Sequence, residues 1–328
     1  MIISRTPFRI SLAGGGSDIA EYYRHRPGNV VSMAINRYMY VTVNRRFDDR
    51  IRVSYTQTEI VDRVEDIQHD LIREAMKMTG VSRGVEITTI ADLPAGIGLG
   101  SSSTLTVGVL NALDALNGER RSPEDLARRA CQIEIDVLKK PIGKQDQYIA
   151  AYGGLQDIYF HPDDTVSVHP VLCPVAARDQ LLRRLMLCYT GMQREAGTVL
   201  TEARHNLATR RETREAIDGL VAIAGEVRQA ITRARVARIG KLLDESWRLK
   251  RQMASSVSNS HLDDLYERAV ASGAEGGKVA GAGGGGCLML VVPPSKRARV
   301  RCTMQRAGLR EVGVGYEIEG SRIIHYSA

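Results

Sequence analysis

The chain has 328 residues, enough for two domains that each bury a core. Hydrophobic residues at 43% and charged residues at 25% are ordinary globular values, so disorder is not the default reading. The net charge of +7 admits an anionic partner, but the basic residues are scattered in short clusters such as Arg45–Arg46 and Arg183–Arg184, so a small phosphorylated molecule is favoured over nucleic acid.

In chain order, YMYVTV at 38–43 and IRVSY at 51–55 read as strands, because β-branched and aromatic residues run between polar breaks. VEITTI at 85–90 is a third. It is followed by PAGIGLGSSST and then LTVGVLNALDALNG, whose apolar spacing is helical and whose Gly118 suits a C-cap. A second helix opens at Ser122, with Pro123 at its first position and Asp125 completing a capping-box-like signal. It places Leu126, Ala130, Ile133 and Val137 on one face and ends at Lys139, Lys140 and Pro141. LMLCYTG at 185–191 is a strand that opens a second half with long charged helices at about 196–211, 213–235 and 237–254. The helix HLDDLYERAVASG then leads into KVAGAGGGGCLMLVVPP, a glycine loop entering a strand. The expected division is 1–175 and 176–328.

Five scattered cysteines without a CxxC pair are read as reduced structural thiols. The N-terminal segment lacks a signal-peptide pattern, and no stretch approaches the roughly 20 apolar residues of a membrane span, so a cytoplasmic protein with no membrane partner is expected.

The segment at 94–104 carries the first chemical signal. Closely spaced phosphate oxygens need inward-pointing backbone N–H groups without Cβ interference, followed by a helix N-terminus. Gly96, Gly98 and Gly100, followed by Ser101, Ser102 and Ser103, supply both parts, and a serine hydroxyl can also ligate Mg²⁺. Neither GxxxxGK[ST] nor GxGxxG is matched. A tight turn whose serines only cap the helix is the competing reading.

PAGIGLGSSST closely resembles the phosphate loop of the GHMP kinases, and two further motifs of that family have counterparts in order: TPFRISLAGGGSD near the start and KVAGAGGGGC near the end. The resemblance implies an α+β, two-domain kinase with a ribosomal-protein-like α/β N-terminal domain and a ferredoxin-like C-terminal domain. It implies ATP bound at Pro94, Gly96, Gly98, Leu99, Gly100, Ser101, Ser102 and Ser103. The family pairs a Glu with an Asp eleven or twelve residues later, and Glu134 and Asp146 are twelve apart. By resemblance Glu134 and Ser102 hold Mg²⁺, Asp146 acts as base or charge partner of the acceptor, and Arg9 keeps Asp146 ionised. From the residues alone Glu134 could be a solvated helix acid, Asp146 an N-cap, and Lys144 either a partner of phosphate or a plain surface lysine.

Asp18 matches the position at which sugar-binding members hydrogen-bond the acceptor, with Gly14, Gly15, Gly16, Ser17, Gly283 and Gly284 as further substrate candidates. Where galactokinases carry Glu and His, this chain has Gly15 and Gly16, which leave room for a phosphorylated tail. Arg24, Arg26 and Arg37 are the candidates to bind that phosphate. AGGGSD, VVSMAIN, LGSSST, GKQDQYIAAYGGL and KVAGAGGGGC together resemble the bacterial D-glycero-D-manno-heptose 7-phosphate kinases. That resemblance implies phosphorylation of an anomeric hydroxyl, on the way to nucleotide-activated heptose. Thr104 and TGMQREAG at 190–197 depart from that pattern. Trp247 and Lys250, near Asp244 and Glu245 on a charged helix, are secondary candidates, and the lone Trp is read more readily as core. A kinase of an unphosphorylated sugar such as fucose, or a non-catalytic sugar sensor on the same fold, is the alternative. A homodimer is left open.

Overall fold

The structure is a computed structural model that describes residues 1–192 and 196–327. The departure noted at TGMQREAG therefore falls partly on Gln193, Arg194 and Glu195, outside the described residues.

Twelve strands form two sheets among the described residues: β1 Ile2–Ala13, β2 Gly28–Arg45, β3 Ile51–Ser54, β4 Thr58–Val61, β5 Val85–Ala91, β6 Leu155–Phe160, β7 Val166–Pro170, β8 Leu185–Tyr189, β9 Gly276–Val279, β10 Cys287–Val291, β11 Arg310–Val312 and β12 Arg322–Tyr326. The first sheet runs β12-β1-β2-β5-β3-β4, with β6 and β7 continuing from the other half of β2. All its pairs are antiparallel except β3 with β5. The long strand β2 thus pairs β1 along one edge and two strands along the other, its residues 28–33 pairing β6 and its residues 39–45 pairing β5. The second sheet is antiparallel in the order β11-β8-β10-β9. Taken in chain order as strand, helices, two strands, helix and strand, this is the split βαβ pattern of a ferredoxin-like unit. A division near residue 175 falls between β7 and β8, which lie in different sheets, while β12 returns to pair with β1.

The helix Ser101–Leu116 is apolar around nearly its whole circumference and lies buried against β1 and β2. Gly108 permits the close approach, since a Cβ there would lie 2.9 Å from Thr6 Oγ1. The capping signal at Ser122 is realised: its side chain accepts from Asp125 N, and the helix runs Pro123–Cys131 with Pro at its start. Beyond Cys131 the winding widens to a π-helix over Gln132–Val137, with Leu138 N bonded to Ile133 O at 2.9 Å. An α-helical face through Leu126, Ala130, Ile133 and Val137 therefore fails at its last member: the wider turn leaves Val137 half-exposed.

The same turn seats Glu134 inside. In the second half the helices are Ala196–Thr209, Arg211–Thr232 and Ile239–Lys250, the last shorter than the expected 237–254 because a 3₁₀ turn precedes it and turns follow Lys250. The helix Arg211–Thr232 also packs on β1 and β2, so the two halves share apolar contacts. Trp247 is buried in the core, as a lone Trp on an amphipathic helix suggests. Among the described residues no helix is long and apolar enough to cross a membrane.

Candidate active site

The loop between β5 and the helix Ser101–Leu116 turns back on itself through three glycines with positive φ, at 79°, 81° and 84° for Gly96, Gly98 and Gly100. Only the loss of Cβ makes that backbone cheap. At Gly98 it also makes room for a neighbour, because a Cβ there would stand 2.5 Å from Ala280 O. The glycine loop between β9 and β10 is therefore seamed, backbone against backbone, to the loop before the buried helix. Cys287 N donates to Ile97 O at 3.1 Å along the same seam. Gly100 is the N-cap and supplies no side-chain bond, so the first N–H groups of the helix keep their capacity for an anion, with Ser101–Ser103 beside them.

An open cleft lies over this loop, lined among others by Arg9, Gly15, Asp18, Ser102, Asp146 and Lys250. Arg9, on β1, is almost fully buried and is the hub. Its Nε and Nη2 donate to the two carboxylate oxygens of Asp146 at 2.6 and 2.5 Å, and its Nη1 donates to Gly98 O at 2.8 Å. One planar guanidinium thus ties Asp146, at the start of the helix Gln145–Tyr152, to the glycine loop, a task that suits Arg and not Lys. Asp146 keeps a partly exposed side chain in the cleft.

Glu134 is completely buried, and among the described residues it makes no ion pair. Ser102 Oγ donates to its Oε1 at 2.5 Å and Gln147 Nε2 to its Oε2 at 2.7 Å. Burial holds its carboxyl above the usual range, partly offset by the hydrogen bonds from Ser102, Ser103 and Gln147. A buried acid and a serine hydroxyl in contact beside the glycine loop offer two hard oxygen donors, which fits a magnesium ion that takes one or two protein oxygens and completes its shell with phosphate and water.

Asp18 is buried in the cleft wall beside the turn Gly14–Ser17. Its Oδ1 accepts from Gly16 N at 2.9 Å and its Oδ2 from Gln145 Nε2 and N at 3.2 and 3.3 Å. Burial raises its pKa, and Asp146 adds to the rise. Gly143 is required beside it: a Cβ there would fall 2.0 Å from Asp18 Oδ2. Gly15 and Gly16 both line the cleft, but the space over Gly16 is filled by Met253, whose Cε would lie 2.6 Å from an added Cβ.

Several expected members lie elsewhere. Lys144 Nζ donates to Asp164 O at 3.0 Å and sits over the Tyr23 ring, outside the cleft lining. Arg24 pairs with Asp164 and Arg26 with Asp218, while the exposed Arg37 bonds the backbone of Asn36; none of the three lines the cleft. Gly14 and Ser17 build the turn, Ser17 Oγ donating to Gly14 O at 2.8 Å. Gly283 and Gly284 pack on Val257, and Gly281 and Ala282 line the cleft in their place. Pro94 is exposed and Leu99 is buried in the core, so both shape the loop without lining the cleft.

Residues 67–154 match the GHMP kinases N terminal domain and residues 227–309 the GHMP kinases C terminal domain. The chain is 31% identical over 308 residues to the D-glycero-alpha-D-manno-heptose 7-phosphate kinase of Campylobacter jejuni, covering 90% of this chain and 91% of that one. It is 28% identical to the bifunctional fucokinase/GDP-fucose pyrophosphorylase of Arabidopsis thaliana over 89% of this chain and 30% of that one. Among solved structures, a D-glycero-D-manno-heptose 1-phosphate kinase from Bacteroides thetaiotaomicron superposes with a TM-score of 0.84 at 25% identity, covering all of both chains. The galactokinase of Lactococcus lactis complexed with galactose shares the fold at a TM-score of 0.78 and 19% identity, over 98% of this chain and 94% of that one.

Proposed function

The chain belongs to the GHMP kinase family as an ATP-dependent sugar kinase, and from that premise we propose that it phosphorylates the anomeric hydroxyl of D-glycero-D-manno-heptose 7-phosphate to give the 1,7-bisphosphate. The observation that carries the reading is the Arg9 hub, which fixes a cleft-facing carboxylate, Asp146, beside the loop suited to the phosphates of ATP. The step needs little covalent help from a protein: two oxygens must be held in line and the acceptor hydroxyl must be oriented or relieved of its proton. Asp146 is the group for that hydroxyl, and Asp18, held by Gly16 and Gln145, accepts from a neighbouring sugar hydroxyl. Glu134 and Ser102 are the residues that would hold Mg²⁺, which when bound neutralises charge on the phosphates. The heptose assignment is supported by the named heptose phosphate kinases among the relatives and by the small side of the cleft at Gly15.

The experiment is a comparison of acceptors under saturating ATP: heptose 7-phosphate, unphosphorylated heptose, mannose 6-phosphate, fucose and galactose. Heptose 7-phosphate should exceed heptose in kcat/KM by about 10- to 1000-fold, since a charge-assisted contact contributes roughly 1.5 to 3 kcal/mol. Gly15 has no left-handed φ, and an added Cβ would make only ordinary contacts, the nearest at 3.4 Å. Gly15→Glu should therefore fold and weaken the phosphorylated acceptor much more than ATP. Equal use of heptose and its phosphate, or a preference for fucose or galactose, would remove the heptose phosphate assignment.

The metal assignment predicts that Glu134→Gln raises the Mg²⁺ concentration for half-maximal rate. Loss of groups one shell further out already costs about 10- to 100-fold at metal sites, so a direct oxygen should cost at least as much. A metal titration that superposes on the wild-type curve would leave Glu134 as a buried hydrogen-bond partner of Ser102 and Gln147.

A further inference from the structure

The wall of the cleft that faces the glycine loop carries two lysines without acidic partners. Lys250, the last residue of the helix Ile239–Lys250, is 9% exposed and Lys278, on β9, is 4% exposed, and both line the cleft. Lys250 Nζ donates to Gly281 O, leaving two of its three donors. Among the described residues neither makes an ion pair, and Lys278 Nζ makes no hydrogen bond.

Buried cations are normally paired, because an ammonium removed from water without a counter-charge is costly. The groups that face this pair make the cost higher. Arg9, from β1, repels both lysines, and its own charge is already engaged by Asp146. Asp18 favours the charged form of Lys250, but its carboxyl is itself held up by burial. For Lys278 the neighbouring charges are Lys250 and Arg9.

The placement says what would compensate. Gly281, which holds Lys250, abuts the loop glycine Gly98: a Cβ on Gly281 would lie 2.7 Å from Gly98 Cα. The two ammonium groups therefore stand on the second half of the molecule beside the loop at which the helix N-terminus of the first half already favours phosphate.

We propose that Lys250 and Lys278 form a two-lysine site for a phosphoryl oxyanion, closing from the second half the cleft that the glycine loop opens from the first. This deepens the kinase reading above, since it assigns residues to a phosphoryl group in that same cleft. The oxyanion has two sources, the terminal phosphate of the nucleotide and the phosphate of the acceptor.

The test is isothermal titration of the wild type, Lys250→Met and Lys278→Met. One arm compares a non-hydrolysable ATP analogue with ADP; the other compares heptose 7-phosphate with heptose. In one arm the preference for the probe with the extra phosphoryl group should fall about tenfold or more in both variants. Loss in the first arm assigns the site to the nucleotide, and loss in the second to the acceptor. Preferences unchanged in both arms, in variants with wild-type circular dichroism, overturn the site.

A second measurement needs only the wild type. Burial pushes Lys250 down to about 8, and burial beside Lys250 and Arg9 pushes Lys278 well below the usual lysine range. An anion bound to them favours the charged form and raises both, so at pH ~8.5 binding should take up protons, read as a heat that depends on the buffer's ionisation enthalpy. Binding without proton uptake counts against the site. Failure of both heptose probes to bind the wild type would sink the acceptor assignment alone, because the nucleotide arm still tests the lysines.

Discussion

Asp146→Asn should lower kcat by roughly 100-fold or more, the usual scale for an acid–base group, with nucleotide affinity near that of the wild type. The wild-type carboxylate offers two acceptors to the fork of Arg9, at 2.6 and 2.5 Å. An amide offers one acceptor and turns an N–H₂ toward a guanidinium N–H, so the substitution removes the charge and one of two parallel bonds without changing volume. Arg9 retains its bond to Gly98 O, which is why the loop, and with it nucleotide binding, should survive. Steady-state rates with a sugar phosphate acceptor and calorimetry with an ATP analogue separate the two effects. Unchanged turnover would remove Asp146 from the chemistry.

Gly98→Val should abolish detectable nucleotide binding and also lower the melting temperature. The sequence alone suggests only the first effect, through loss of phosphate space. The structure adds the second, because the residue holds φ at 81° and a Cβ would stand 2.5 Å from Ala280 O. The left-handed backbone costs a non-glycine residue about 1–2 kcal/mol, and a β-branched one more, before the seam between the two glycine loops is forced apart. A loss of about 1–2 kcal/mol alone corresponds to a drop of about 1.5–3 °C for a chain of 328 residues, and the displaced seam adds to it. Thermal unfolding and titration of an ATP analogue provide the check. Wild-type affinity would show the loop to be only a turn.

How much of this was legible beforehand depended on whether the signal was local. The strand, glycine loop and helix at 85–116 and the capped helix at Ser122 follow from short-range pattern, whereas the association of Glu134 with Ser102 follows only from the family resemblance; the geometry has those two side chains in contact. Lys250 stood out only as a secondary candidate on a charged helix, and Lys278 only as the first residue of KVAGAGGGGC. Their burial is set by how the second half folds over the first, which no window of sequence displays. Lys144 and Arg24 lie outside the cleft lining for a reason within the first half, since Asp164, eighteen residues beyond Asp146, pairs with both. The winding of Gln132–Val137 as a π-helix was equally hidden, since its apolar spacing reads as ordinary α-helix until the exposed Val137 shows the change of phase. The strand β1 escaped notice because its buried polar residues, Ser4, Thr6 and Arg9, break the apolar run that marks a central strand.

The pairing of β12 with β1 sets an order on synthesis. Ile2 lies opposite Tyr326 and Arg5 opposite Arg322, so a contact between the ends of the numbered chain covers one edge of β1. A ribosome that has delivered the phosphate loop and both carboxylates has still left that edge of β1 open, and an open strand edge is a template for other chains. The Arg9 hub lies on that same strand. The nascent chain thus waits, with its first sheet unfinished, for closure of a loop of more than 300 residues. Such long-range pairing is slow and exposed to aggregation.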